Sequence, residues 1–209
     1  MNNQNQIASD LLKINAVTLA PNDPFTWASG MKAPIYTDNR ITISFTDVRN
    51  HIEAGLAELI QNKFPEVDVI GGVATAGIPH AAIVADKMDL PMIYVRSKPK
   101  DHGRGKQMEG SIDKRQSIVL IDDLLSTGKS VLNAAKALTD DGYNIIGVVA
   151  IFSYELPDCR KNFAEAGIDF ATLTNYSTII EQAQSEGSIS ESDLATLRQW
   201  RDDPWNWGK

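Results

Sequence analysis

Four short apolar runs, starting at Val67, Pro91, Ser117 and Asn144, alternate with segments whose apolar residues recur at helical spacing. Each run is bounded by polar residues and rich in β-branched side chains, as in a strand buried on both faces. Such strands joined by helical connections make βαβ units. The alternation therefore predicts an α/β chain with a mostly parallel sheet flanked by helices. In that architecture the loops leaving the C-terminal ends of the strands gather at one edge, and ligands bind there.

The third run carries the most chemistry. Residues 117–133 read SIVLIDDLLSTGKSVLN. Ile118, Val119, Leu120 and Ile121 form the strand, and Asp122 and Asp123 an acidic tip. Leu124, Leu125, Ser126, Thr127, Gly128, Lys129 and Ser130 form a small loop, after which Val131, Leu132, Ala135 and Leu138 mark a helix. A loop ending at a helix N-terminus presents free backbone N–H groups and the positive end of the helix dipole, which suits a phosphate. Ser126, Thr127 and Ser130 add hydroxyls, and Gly128 admits close backbone approach. The two carboxylates repel a phosphate, so they must accept hydrogen bonds from neutral groups such as sugar hydroxyls, or help to hold a cation. A sugar phosphate satisfies both halves. The plainer reading is an ordinary strand-to-helix turn with aspartates near a helix N-terminus.

Composition narrows the function classes. A chain of 209 residues can bury one substantial core. A net charge of −7 and a pI near 4.9 argue against a general nucleic-acid binder. A single cysteine, Cys159, excludes an internal disulfide and a cysteine-built zinc cage, and fits a reducing compartment. The N-terminal residues lack the basic and apolar regions of a signal peptide. The longest apolar run, near residues 145–152, is too short to cross a bilayer. A cytoplasmic protein without a membrane partner is expected.

The remaining segments read in order as follows. Residues 7–17 carry a helical stripe. Residues 24–40 contain two extended pieces around Ser29-Gly30, a hairpin. Residues 46–64 form an amphipathic helix with Thr46 as N-cap, Asp47 in the first turn and His51 in solvent. A strand over 67–73 leads into a small-residue loop over 71–79. Gly72 and Gly77 have the spacing of a nucleotide-binding glycine loop, but Ile78-Pro79 stands where Lys and Ser/Thr are required. His80 packs or caps, and residues 81–88 form a helix. Residues 96–110 hold five Lys/Arg against two acids, with three glycines. A long basic loop beside a sugar-phosphate site suits a lid for a polyanion. Strands over 144–152 and 168–173 flank a helix over 157–166. Two final helices follow, with a capping box at Ser190 and Asp193, and Trp200, Trp205 and Trp207 pack a C-terminal tail.

The 117–130 stretch resembles the ribose-phosphate motif of type I phosphoribosyltransferases. The phrase Phe25, Thr26, Ser29, Gly30, Pro34 resembles the N-terminal hood of the orotate phosphoribosyltransferase family. Arg96, Lys100, Asp101, His102 and Gly103 are similar to its catalytic loop, and the likeness covers nearly the whole chain. It implies one phosphoribosyltransferase domain over 1–209, with 1–45 forming the hood and 97–110 a mobile catalytic loop. It implies Mg²⁺-dependent transfer of ribose 5-phosphate from phosphoribosyl pyrophosphate (PRPP) to orotate, giving orotidine 5′-phosphate and pyrophosphate in pyrimidine biosynthesis.

The resemblance also assigns roles. Asp122 and Asp123 meet the ribose hydroxyls, and residues 124–130 grip the 5′-phosphate. Tyr36, Thr37 and Ser126 place orotate. Lys100 and His102 stabilise the leaving pyrophosphate, aided by the backbone of the 71–79 loop. Arg96 binds PRPP, commonly in a neighbouring subunit's site, so a homodimer is expected. Mg²⁺ rests mainly on substrate oxygens, with no dedicated protein metal site. The chain departs from the family pattern at Ala28 and Ala76, where lysines are usual, and at residues 152–155, where an arginine often meets the substrate carboxylate. Two other readings share the PRPP loop. One is a phosphoribosyltransferase for another base, which only the hood distinguishes. The other is a PRPP-sensing transcriptional regulator, which would need a basic DNA-binding segment; before Phe25 the chain has only Lys13.

Overall fold

The computed structural model describes residues 3–97 and 107–208. Helix α1 (Asn3–Lys13) buries Ile7, Ala8 and Leu11. It stops short of Val17, because Asn15 turns the chain at φ 56 and Val17 opens strand β1 (Val17–Leu19). Strands β2 (Phe25–Thr26) and β3 (Lys32–Ala33) pair antiparallel around Gly30, which takes φ 83, so the hairpin forms where Ser29-Gly30 suggests. Strand β4 (Ile35–Thr37) pairs antiparallel with β1. A 3-10 turn over Asn39–Ser44 leads into α2 (Thr46–Lys63). Thr46 is the first helical residue rather than the cap. Phe45 holds the cap position in extended backbone without a side-chain hydrogen bond, because the preceding turn delivers it there. His51 is exposed, as expected, and its Nδ1 lies 2.7 Å from Asp10 Oδ2 of α1.

The βαβ portion follows: β5 (Val69–Val73), α3 (Gly77–Met88), β6 (Met92–Val95), β7 (Met108–Glu109), β8 (Ser117–Leu125), α4 (Lys129–Asp140), β9 (Asn144–Ser153), α5 (Pro157–Ala166) and β10 (Phe170–Asn175). Helix α5 starts on Pro157, whose missing N–H costs nothing in a first turn. Helices α6 (Tyr176–Ser185) and α7 (Glu191–Asp202) end the chain, the latter opened by the expected Ser190–Asp193 capping box. No helix among the described residues is long and apolar enough to cross a membrane.

The main sheet has six strands in the order β10-β9-β8-β5-β6-β7. All neighbours are parallel except β6 and β7. Alternation along β8 divides the core. Ile118 and Leu120 pack with Val131, Ala135 and Leu138 of α4 and Phe163 of α5. Val119 and Ile121 pack with Ile52, Leu56 and Ile60 of α2 and with Ala81 and Val84 of α3. Both faces are thus covered, which is why the strands read as unbroken apolar runs. From β5 the chain passes through α3 to β6 on one side, whereas β8 pairs on the other and leaves through α4 on the opposite face. The order reverses between β5 and β8, and such a switch point opens a crevice at the C-terminal strand ends.

Candidate active site

The acid tip stands at that crevice. The ladder between β8 and β9 continues past the apolar run, pairing Asp122 with Ala150, Leu124 with Phe152 and Leu125 with Ser153. Leu124 and Leu125 therefore close the strand rather than open the loop, because β9 runs on to Ser153 and supplies their partners. Leu125 is core. Asp122 is buried and Asp123 half-buried. The Asp123 backbone N–H donates to Asp122 Oδ1 at 2.9 Å, and the Asn39 side-chain amide donates to the Asp123 carbonyl at 2.7 Å. Burial, then the neighbouring Asp123 charge, pushes the Asp122 carboxyl above its ordinary range. Burial also raises Asp123, opposed by its hydrogen bond with Asp122 and by the fields of His80 and Arg40.

Two helix N-termini flank this tip from opposite faces. Gly128 enters α4 at φ 73, in the left-handed region, and a Cβ there would lie 2.6 Å from the Phe163 ring. Asn162 of α5 steadies the loop by donating to the Thr127 carbonyl at 2.8 Å. No cap side chain engages the first amides of α4, so they face the loop side free to take an anion. Helix α3 likewise opens without a side-chain cap. A Cβ on Gly77 would overlap the Ile121 carbonyl oxygen, so glycine lets the first turn of α3 press directly against β8 beneath the aspartates. The Ala74–Thr75 peptide just before it is cis. Behind lies His80, packed as expected. It is fully buried, with Nδ1 2.7 Å from Oε1 of the equally buried Glu53, while His80 Nε2 and Glu53 Oε2 have no partner.

Beside the tip, under the β2–β3 hairpin, is a cavity of about 390 Å³. Tyr36, Thr37 and Ser126 line it, together with Phe25, Thr26, Trp27, Ala28, Leu124 and Tyr154. Its walls are aromatic: Phe25 and Tyr36 lie 5.7 Å apart between ring centres, and Trp27 and Tyr154 4.6 Å. The Thr37 hydroxyl is buried beside the Tyr154 phenol. Tyr154 enters because Glu155 takes φ 57 and its carboxylate accepts the Ser177 N–H at 2.8 Å, turning the chain after β9. Burial pushes the Tyr154 phenol well above its usual value, so it stays a neutral hydroxyl.

The fold thus gathers Tyr36, Thr37 and Ser126 around one cavity, with Asp122, Asp123, Thr127, Gly128, Lys129 and Ser130 on the adjoining strand end and loop. Lys129 and Ser130 are exposed in the first turn of α4. Arg96 stands apart, just after β6. Its N–H donates to the Gln107 carbonyl at 2.9 Å, its guanidinium lies 3.8 Å from Glu109, and it does not line the cavity. Residues 107–109 are thereby tied to β6, so the distal end of the expected 97–110 loop is strand. Lys100 and His102 lie outside the described residues. Sequence reasoning missed Asn39, Trp27 and Tyr154. The first sits in the phrase Thr37-Asp38-Asn39-Arg40, and the last directly follows β9 at the edge where ligands are expected.

Residues 45–168 match the family model described as a phosphoribosyl transferase domain. The chain is 62% identical over 202 residues to an orotate phosphoribosyltransferase of Levilactobacillus brevis, covering 97% of this chain and 96% of that protein. The chain belongs to the orotate phosphoribosyltransferase family. More distant solved structures share the fold. The orotate phosphoribosyltransferase of Aeropyrum pernix superposes with a TM-score of 0.71 at 23% identity, over 88% of this chain and 99% of that one. Leishmania donovani UMP synthase gives a TM-score of 0.81 at 23% identity over 95% of this chain, which spans 42% of that longer protein. Against the expected orotate phosphoribosyltransferase pattern, the losses at Ala28 and Ala76 and the missing arginine after β9 stand, and Tyr154 occupies the last of these regions.

Proposed function

We propose that this chain catalyses Mg²⁺-dependent transfer of ribose 5-phosphate from PRPP to orotate, forming orotidine 5′-phosphate and releasing pyrophosphate. The observation that carries the reading is the meeting, at one switch point, of an acid pair, two uncapped helix N-termini and an aromatic cavity. Asp122 and Asp123 accept the ribose hydroxyls. As the bond from the ribose to pyrophosphate breaks and the bond to the base forms, positive charge grows on the sugar, and the two carboxylates stabilise it. Residues 126–130, with the first amides of α4, hold the 5′-phosphate. The N-terminus of α3 holds pyrophosphate through backbone. Tyr36, Thr37, Ser126 and Tyr154 place orotate, and the adjacent Thr37 and Tyr154 hydroxyls are donors for it.

The donor set suits magnesium. Asp122 and Asp123 offer hard oxygens, and an ion bound mainly through substrate oxygens and water would need few further protein ligands. When bound, the ion offsets phosphate charge. Lys100 and His102 as lid cations, Arg96 on PRPP, a homodimer sharing the catalytic loop, and a cytoplasmic site belong to the same proposal. The test is product identification by mass spectrometry after incubation with PRPP, orotate and Mg²⁺. Equal amounts of orotidine 5′-phosphate and pyrophosphate, absent without Mg²⁺, are expected. Pyrophosphate without the nucleotide would mean that PRPP is hydrolysed and the base assignment is wrong.

A further inference from the structure

Orotate is an anion, yet none of the residues lining the base cavity is basic. Two cations of the hood come near. Arg40 is engaged: its guanidinium holds both carboxylate oxygens of Asp38, at 2.6 and 2.8 Å. Lys32 is not held in this way. It pairs with Thr26 across the β2–β3 ladder, and its Nζ donates to the Thr26 hydroxyl at 2.7 Å. Thr26 itself lines the cavity. An ammonium has three donors; Thr26 takes one, and no ion pair joins Lys32 to an acid among the described residues. Its backbone is fixed. The buried indole N–H of Trp200 donates to the Lys32 carbonyl at 2.9 Å, and Trp200 lies 5.8 Å from Trp27, a wall of the same cavity.

We propose that Lys32 is the specificity-determining cation of the base pocket, its ammonium steered by the Thr26 hydroxyl to meet the carboxylate of orotate at the mouth of the hood. The hydroxyl accepts from Lys32 and keeps its own proton to give to the carboxylate, so the two residues act as one anion-binding unit. A neutral base without the carboxylate gains nothing from this pair. The assignment deepens the orotate reading and rests on it. Lys32 also borders a second cavity, of about 420 Å³, with Trp205 and Trp207 on the far side of the hairpin. Its exposed stem can therefore swing without disturbing the core.

The test is steady-state kinetics on wild type, Lys32→Met, Lys32→Arg and Thr26→Val, varying orotate and PRPP separately at low and high salt. A charged hydrogen bond of this kind changes affinity by about tenfold. Lys32→Met is expected to raise the orotate KM about that much, with kcat within about twofold and the PRPP KM unchanged. Lys32→Arg should recover most of the loss, and Thr26→Val should fall between. High salt should raise the orotate KM of wild type but not of Lys32→Met. Melting temperatures should match, because the side chain is exposed. An unchanged orotate KM in Lys32→Met, or equal rises in both KM values, would overturn the assignment. Failure of the wild type to consume orotate would instead remove the reading beneath it, and shows before any variant is made.

Discussion

The role proposed for Asp122 conflicts with stability. Its carboxyl is buried beside a second carboxylate, so ionising it works against the folded state. The folded pKa lies above the unfolded one. The fold is therefore most favoured while the group is protonated, and it loses stability as pH rises above the ordinary carboxylate value of about 4. Asp122→Asn keeps the oxygen that accepts the Asp123 N–H and removes the charge. At pH 8 we expect it to gain on the order of 2 kcal/mol, a gain that fades toward pH 4, while turnover falls by at least about a hundredfold. Thermal melts from pH 4 to 8 check this; a pH-independent change would contradict the buried-charge account. Tyr154→Phe keeps the ring contacts with Trp27 and Phe152 and deletes only the hydroxyl beside Thr37. It should raise the orotate KM by roughly threefold to tenfold and leave the PRPP KM and the melting temperature nearly unchanged. The acids and the Ser-Thr-Gly loop were legible in the sequence because they are consecutive. Tyr154 and Asn39 were not, because only the turn at Glu155 and the chain reversal after β4 bring them to the aspartates.

Helices and strands were more legible than their ends. Buried periodicity marked every element of the main sheet except β7, whose two residues, Met108 and Glu109, are paired through β6 and carry no pattern of their own. The errors sit where a tertiary partner decides: β9 extends β8 to Leu125, and the 3-10 turn before α2 moves the cap from Thr46 to Phe45. The α2–α3 contact shows the same dependence on context. Glu53 looks like a surface residue in isolation, yet it forms a fully buried pair with His80 that joins the two helices below the acid tip. Burial raises the Glu53 carboxyl, and His80 opposes the shift. Removing one member strands the other, so Glu53→Leu and His80→Leu should each cost roughly 3 kcal/mol. The double variant, apolar on both sides, should cost clearly less than their sum. Urea denaturation of the four proteins measures the coupling; additive losses would mean that the pair is not linked.

At the scale of the molecule, the sheet carries the acid tip and its flanking helix N-termini, and the C-terminal helix braces the hood cavity. Trp200 of α7 is fully buried and touches Trp27, Tyr154 and Tyr176 while bonding the Lys32 carbonyl. It thus ties the hood, the turn after β9 and the chain terminus together. Trp200→Ala should cost about 3–5 kcal/mol and, in the folded fraction, raise the orotate KM while sparing the PRPP KM. A matched rise in both would assign α7 to general stability alone. The central claim is that the switch point holds PRPP while the hood cavity selects orotate. Initial rates with PRPP and Mg²⁺ on orotate, uracil, adenine, guanine and hypoxanthine, followed by ultraviolet absorbance, address it most directly. Consumption of orotate, with the other four bases untouched, is the expected result. Turnover of another base in preference to orotate would leave the PRPP half standing and contradict the hood assignment. Saturable PRPP binding without turnover of any base would contradict the enzyme reading itself.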